Sequence, residues 1–176
     1  MSEKVFSGGE VSLEEMLNAR EKRVLHQKNL LNEYRDSTVL LASMNIPGPV
    51  KNSAVLSRVF SQVLDTIKQE IDNGYILKTL EFNIKTGPEF YAVVACSPKT
   101  LKKKMVEIEE THSYGRLLDL DIHYLEEGPQ SVSRQDLNLP PRKCLICRKN
   151  AKECGRQRRH SIKEMQAKII EIINKE

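Results

Sequence analysis

The segment Leu117-Leu118-Asp119-Leu120-Asp121-Ile122-His123-Tyr124-Leu125 constrains the fold more than any other part of the chain. From Leu118 onward it alternates. Leu118, Leu120, Ile122 and Tyr124 fall on one face of a strand, and Asp119, Asp121 and His123 on the other. A period of two over this length selects a strand whose apolar face is covered. Asp is among the poorest strand formers, and two on one face stand roughly 7 Å apart. Their repulsion calls for a positive partner, either a divalent cation or a cationic substrate clamp. Mg²⁺ is held in this way, by one or two carboxylates together with substrate phosphates. The competing reading is a strand end with two solvated carboxylates.

The rest of the chain supplies elements that fit around this strand. Ser12-Leu13-Glu14-Glu15 is a capping box that starts a helix running to about Arg35, with Leu13, Met16, Leu17, Val24, Leu31 and Tyr34 as its packing stripe. Thr38 to Ile46 is a strand stopped by Pro47-Gly48-Pro49. Asn52 or Ser53 caps a helix with the stripe Leu56, Val59, Phe60, Val63, Leu64, Ile67 and Ile71, which Gly74 ends after Asn73. Tyr75 to Ile84 and Glu89 to Cys96 form a hairpin around Lys85-Thr86-Gly87-Pro88. The second of these strands is apolar or small almost throughout, as for a central strand covered on both faces. Ser97-Pro98 opens a helix to about His112 that buries Leu101, Met105 and Ile108 and exposes Lys102, Lys103 and Lys104. The order strand, helix, strand, strand, helix, strand predicts an α+β, ferredoxin-like split βαβ sheet. We expect one domain over residues 1–176: an N-terminal helical arm (1–36), the βαββαβ core (37–126), and a loop with a basic, Cys/His-rich helical extension (127–176). Residues 126–141 read as a loop with short extended pieces, and Ile162, Met165, Ile169, Ile172 and Ile173 as the stripe of a helix capped by Ser161.

In that strand order the last strand lies beside the first, so Asp119 and Asp121 are expected near the Pro47–Asn52 loop. A rigid turn, Lys51 and a capped helix start together favour an anion there. The alternative is a rigid connection with a surface lysine.

The net charge of +4 is unevenly spread. Residues 142–176 hold 11 Lys/Arg and 4 Asp/Glu, whereas the first 141 residues are net acidic. A basic tail suits an anionic partner: nucleic acid, a phosphorylated cofactor or an acidic protein. The chain has no apolar run of membrane-spanning length, and its first residues lack the basic and apolar blocks of a signal peptide, so a cytoplasmic protein is expected. In that compartment four Cys point to metal, catalysis or burial rather than disulfides. Cys144, Cys147, Cys154 and His160 have the spacing Cys-x2-Cys-x6-Cys-x5-His, a possible Zn²⁺ ligand set. Against zinc, the second half-site spacing is not that of a standard finger. A continuous helix from Lys149 to His160 would also put Cys154 and His160 on different faces, unless Gly155 breaks it. Zinc and buried or active-site thiols both stand as readings.

Taken together, Asn45-Ile46-Pro47-Gly48-Pro49-Val50-Lys51-Asn52-Ser53, Gly115-Arg116-Leu117-Leu118-Asp119-Leu120-Asp121, Ser133-Arg134, and Arg142-Lys143-Cys144-Leu145-Ile146-Cys147 with Ala151, Cys154, Arg156 and His160 resemble the apo-citrate lyase phosphoribosyl-dephospho-CoA transferase (holo-citrate lyase synthase) family. The resemblance runs from about Leu13 to the C-terminus. It implies a nucleotidyltransferase that moves the prosthetic group from 2′-(5″-triphosphoribosyl)-3′-dephospho-CoA to a serine of the citrate lyase acyl carrier subunit, releasing diphosphate. On that reading Asp119 and Asp121 are catalytic and bind Mg²⁺, or one binds metal while the other serves as base. Arg116, Lys51, Arg134 and Arg142 hold the triphosphate, and Asn52 a phosphate oxygen or the ribose. The basic tail docks the acidic carrier. His123 lies on the aspartate face but outside this set. Two other classes compete: a small zinc-containing nucleic-acid-binding module, and an assembly factor without catalysis. Against the first, the sheet lacks the aromatic pair on which RNA-binding sheets stack bases.

Overall fold

The computed structural model describes residues 5–71 and 75–175. The expected stop of a helix at Asn73-Gly74 lies outside them. Ser12 accepts from the Glu15 amide, and the Glu15 carboxylate accepts from the Ser12 amide, which closes the capping box of helix α1 (Leu13–Glu33). Strand β1 (Thr38–Met44) follows, then helix α2 (Ala54–Glu70), capped by the Ser53 hydroxyl at the Leu56 amide. Strands β2 (Ile76–Ile84) and β3 (Gly87–Val94) form the hairpin, and helix α3 (Pro98–Thr111) leads into strand β4 (Leu118–Leu125) through a 3-10 turn at Gly115–Leu117. Strand β5 (Pro129–Val132), helix α4 (Ala151–Arg156) and helix α5 (Ile162–Asn174) complete the order.

The five strands lie in the order β2-β3-β1-β4-β5, and every neighbouring pair is antiparallel. This is a mixed α+β architecture. β1 and β3 are buried almost throughout because both sheet faces are covered. On one face Leu40, Ala42, Phe90, Ala92, Leu118, Leu120 and Ile122 pack with Leu56, Phe60 and Val63 of α2 and Leu101, Met105 and Ile108 of α3. On the other, Val39, Leu41, Tyr91 and Val93 pack with Leu30 and Leu31 of α1. Each such large side chain contributes about 1.5–3 kcal/mol by leaving water.

Several expectations are corrected here. Leu13, Leu17 and Val24, read as part of the packing stripe, are exposed at 77%, 48% and 62%; of that stripe Leu31 is buried, together with Ala19 and Leu30. Ile162, read into the α5 stripe, is also exposed, whereas Ile169 is buried in the main core. Lys102, read as solvated, is buried, with Nζ donating to the Leu120 carbonyl at 2.7 Å. β5 is a true strand on the edge of β4.

Two glycines fix where elements meet. Gly48 has φ +90°, and a Cβ there would lie 2.7 Å from Gln166 Nε2, whose amide donates to the Pro47 carbonyl. α5 therefore packs directly on the loop that follows β1. A Cβ on Gly115 would lie 2.2 Å from the Ile108 carbonyl oxygen, so only glycine lets the turn before β4 press against α3.

Candidate active site

The start of β4 lies beside the end of β1. Met44 pairs with Leu118 and Ser43 with Asp119, and the Asn45 amide donates to the Leu117 carbonyl at 2.9 Å. Leu118, Leu120 and Ile122 point into the main core, so Asp119, Asp121 and His123 share the face covered by α1. Across the sheet, Asp119 continues the row Ser43 to Glu89, and Asp121 the row Leu41 to Tyr91.

β5 pairs only with Ile122 to Leu125, which leaves the first half of β4 with an open edge. Backbone groups there are costly to bury unpaired, and charged side chains serve them. Arg142 Nη2 donates to the Arg116 and Leu118 carbonyls, each at 2.8 Å. The Leu120 amide donates to Glu109 Oε1 at 3.1 Å, and Lys102 takes the Leu120 carbonyl. Arg142 Nη1 also donates to Asp119 Oδ1. One guanidinium thus locks the strand edge and pairs with the carboxylate. Arg116 donates to the Lys143 carbonyl, which ties the turn before β4 to the tail.

The electrostatics follow from this packing. Burial pushes the Asp119 carboxyl above the usual range. Arg142 pulls it back, while the charges of Asp121 and Glu109 push it further up. Asp121 is exposed, and its carboxylate makes no hydrogen bond among the described residues. Burial, then the neighbouring Arg142 and Arg134 charges, hold Arg116 below the ordinary guanidinium range. Burial also lowers the His123 pKa, and Gln27 Nε2 lies 3.1 Å from its Nε2.

The other expected site residues fall as follows. Lys51 sits half-buried in the loop after β1, its Nζ donating to the Ile46 carbonyl at 2.6 Å; burial, then the Arg20 charge, lower its pKa. Arg134 donates to Glu109 at 2.8 Å and Glu110 at 2.6 Å. Asn52 is turned away from the aspartates. It donates to Asn83 Oδ1 and the Ile84 carbonyl at the end of β2 and accepts from the Ser53 amide and the Ser57 hydroxyl at the start of α2. β3 and β1 lie between β2 and β4.

Sequence reasoning missed the contribution of α1. Arg23 Nε donates to Glu89 at 2.6 Å, and the buried Glu89 also accepts from the Tyr91 hydroxyl at 3.0 Å. Arg20, Arg23 and Gln27 recur at i, i+3 and i+7, a polar stripe that was the available signal.

Near the tail, the Sγ atoms of Cys144, Cys147 and Cys154 and a ring nitrogen of His160 all lie within 4.8 Å of one another. Hydrogen bonds from the Lys149 amide and His160 push the Cys147 thiol down to about 6, while burial raises Cys154 to about 11.

A carboxylate pair thus lies bordered by guanidinium groups at an open strand edge. Comparison with known proteins gives the particular family. Its sequence model, Apo-citrate lyase phosphoribosyl-dephospho-CoA transferase, matches residues 11–176. A protein of Streptococcus pyogenes serotype M18, named probable apo-citrate lyase phosphoribosyl-dephospho-CoA transferase, is 42% identical over 96% of this chain and 88% of its own length. One of the same name from Vibrio cholerae serotype O1 is 37% identical over 92% of this chain and 91% of its own. Protein CitXG of Haemophilus influenzae is 37% identical over 92% of this chain, which spans 35% of that longer protein. The chain belongs to the apo-citrate lyase phosphoribosyl-dephospho-CoA transferase family.

Proposed function

We propose that this enzyme transfers the phosphoribosyl-dephospho-CoA group from 2′-(5″-triphosphoribosyl)-3′-dephospho-CoA to a serine of the acyl carrier subunit of apo-citrate lyase. The serine oxygen bonds to the α-phosphorus, the α–β phosphoanhydride bond breaks, diphosphate leaves and the serine proton passes to a base. The carrying observation is the free Asp121 carboxylate next to the Arg142–Asp119 pair, in a chain that matches this family from residue 11 to residue 176.

Such transfer depends on positioning and charge neutralisation more than on covalent chemistry. Asp121, exposed and unpartnered among the described residues, is the group free to accept the serine proton or to bind a metal. Asp119 uses one oxygen for Arg142 and keeps the other. Burial, and after it the charge of Asp121, disfavour the ionised Asp119 carboxylate, an environment that fits a divalent cation, and Asp119 and Asp121 would hold it. Mg²⁺ bound there would offset the charge of the triphosphate. Arg116 and Arg142 border the same strand edge and face the phosphates. Lys51, with its charged form already disfavoured by burial, gains a partner when an anion arrives. Arg134 acts at one remove, by fixing Glu109 against β4.

We read the first four strands, in the order β2-β3-β1-β4, as a ferredoxin-like split βαβ sheet extended by β5. The tail shares its core through Ile169 and belongs to the same domain. Among the described residues no helix is long and apolar enough to cross a membrane. The four free thiols suit a reducing, cytoplasmic setting.

The test is carrier-dependent release of diphosphate from the triphosphate donor. Release that requires the apo-carrier and stops when its serine is replaced by Ala supports the reading. Release without carrier, or none at all from folded enzyme, overturns it.

A further inference from the structure

The segment from Arg142 to His160 lacks a core of its own. Cys154 is its single buried residue. Yet the backbone is tightly organised. The Cys144 amide donates to the Lys149 carbonyl at 2.6 Å and the Arg148 amide to the Cys144 carbonyl at 3.2 Å, with Arg148 at φ +58°. This turn folds around Cys144 and Cys147. The Ala151 amide closes the loop on the Arg142 carbonyl at 2.9 Å. α4 then delivers Cys154 and stops at Arg156. Arg158 takes φ +46°, and the Arg159 amide donates to the Cys154 carbonyl at 3.1 Å, so the chain reverses and brings His160 back to Cys154. That reversal removes the objection that a continuous helix would part the two residues.

Three soft sulfur ligands and one imidazole converge in this way on one point. Cys147 Sγ and Cys154 Sγ are 3.4 Å apart, and all four ligand atoms lie within 4.8 Å of one another. A tetrahedral Zn²⁺ with bonds of about 2.3 Å to sulfur and 2.0–2.1 Å to nitrogen needs ligands about 3.5–3.8 Å apart. The His160 imidazole turns into this cluster, one ring nitrogen lying within 4.8 Å of each Sγ, and its Nε2 is buried without a hydrogen-bond partner among the described residues.

We propose that Cys144, Cys147, Cys154 and His160 bind one Zn²⁺, and that this ion holds the segment carrying Arg142 on the open edge of β4. Arg142 is two residues before the first ligand, and the Lys143 carbonyl between them receives Arg116. The ion supplies the folding energy that the missing core does not. Zinc binding stands without the transferase reading; only its effect on transfer rests on it.

The full chain, purified without a metal-affinity step, is weighed by native mass spectrometry and its zinc measured by elemental analysis. One zinc per chain is expected, absent from Cys144→Ser and Cys154→Ser. The wild-type measurement stands even if both variants misfold. Replacement by Co²⁺ is expected to give thiolate charge-transfer bands and the visible absorption of a tetrahedral site. Zinc-free wild-type protein that takes up no Zn²⁺ when it is added, a weak octahedral Co²⁺ spectrum, or a metal-free chain 2 Da light from a Cys147–Cys154 disulfide would overturn the proposal. Chelation is expected to raise hydrogen exchange over residues 142–160 and to slow transfer by about 10–100-fold, reversed by added zinc. In Arg142→Ala, chelation should slow transfer little further. Equal losses with and without Arg142 would overturn the positioning role.

Discussion

Arg142 and Arg134 are alike in sequence, both basic residues in the second half of the chain, but their partners give them different work. Arg142 pairs with a partly exposed carboxylate at the site, whereas Arg134 neutralises Glu109, only 3% exposed. Arg134→Ala would strand a buried charge and should cost about 3–5 kcal/mol in denaturant unfolding. A variant that keeps its stability and loses only donor affinity would contradict this assignment. Arg142→Gln should act on the pH profile. Arg142 lowers the Asp119 pKa against burial, and the net shift is upward. The ionised form of Asp119 holds Arg142, so kcat/KM should fall as pH drops through a value above the ordinary carboxylate range. Removing the cation raises that pKa further, so the acid limb should move to higher pH. A limb that moves down would count against the pairing. The paired carboxylates were legible in the sequence because a period of two fixes which residues share a face. Periodicity did not show what faces them: Arg142 is distant in the chain and entered only through the family resemblance, and the amide nitrogen of Asn52, expected nearby, turns toward β2.

At the scale of elements, local signals carried well and cover relations did not. The capping boxes, the hairpin and the apolar central strand depend on neighbours in sequence, and they could be read there. α1 carries two stripes, one of Leu13, Leu17 and Val24 and one of Ala19, Arg23, Gln27 and Leu30. Hydrophobicity alone selects the first. The sheet face, with Glu89 and His123 to satisfy, selects the second. β5 shows no clear alternation, and it forms because β4 offers an edge. Lys102 is buried for a related reason, as the partner of a strand-edge carbonyl. The contact between α3 and the turn before β4 admits a direct test. Gly115→Ala would drive a Cβ to 2.2 Å from the Ile108 carbonyl. It should cost about 1–3 kcal/mol and slow transfer by displacing Arg116. Unchanged stability and rate would show that the turn can yield.

For the whole molecule, the acidic first part and the basic tail make an uneven field. Residues 142–176 carry net +7, and Arg142 of the same segment pairs with Asp119. An acidic carrier would be drawn to that side. Its KM should therefore rise as salt screens charges over a Debye length of about 8–10 Å, while kcat changes little. A carrier KM indifferent to salt would argue for an apolar docking surface. The central claim is that the aspartate strand of this fold carries out the transfer, and the intact mass of the carrier tests it most directly. Wild-type enzyme, Mg²⁺ and the triphosphate donor should add one phosphoribosyl-dephospho-CoA to the apo-carrier. Asp121→Asn should do so at least about 100-fold more slowly, with its fold intact by circular dichroism. A carrier modified at the wild-type rate by Asp121→Asn would move the chemistry away from β4.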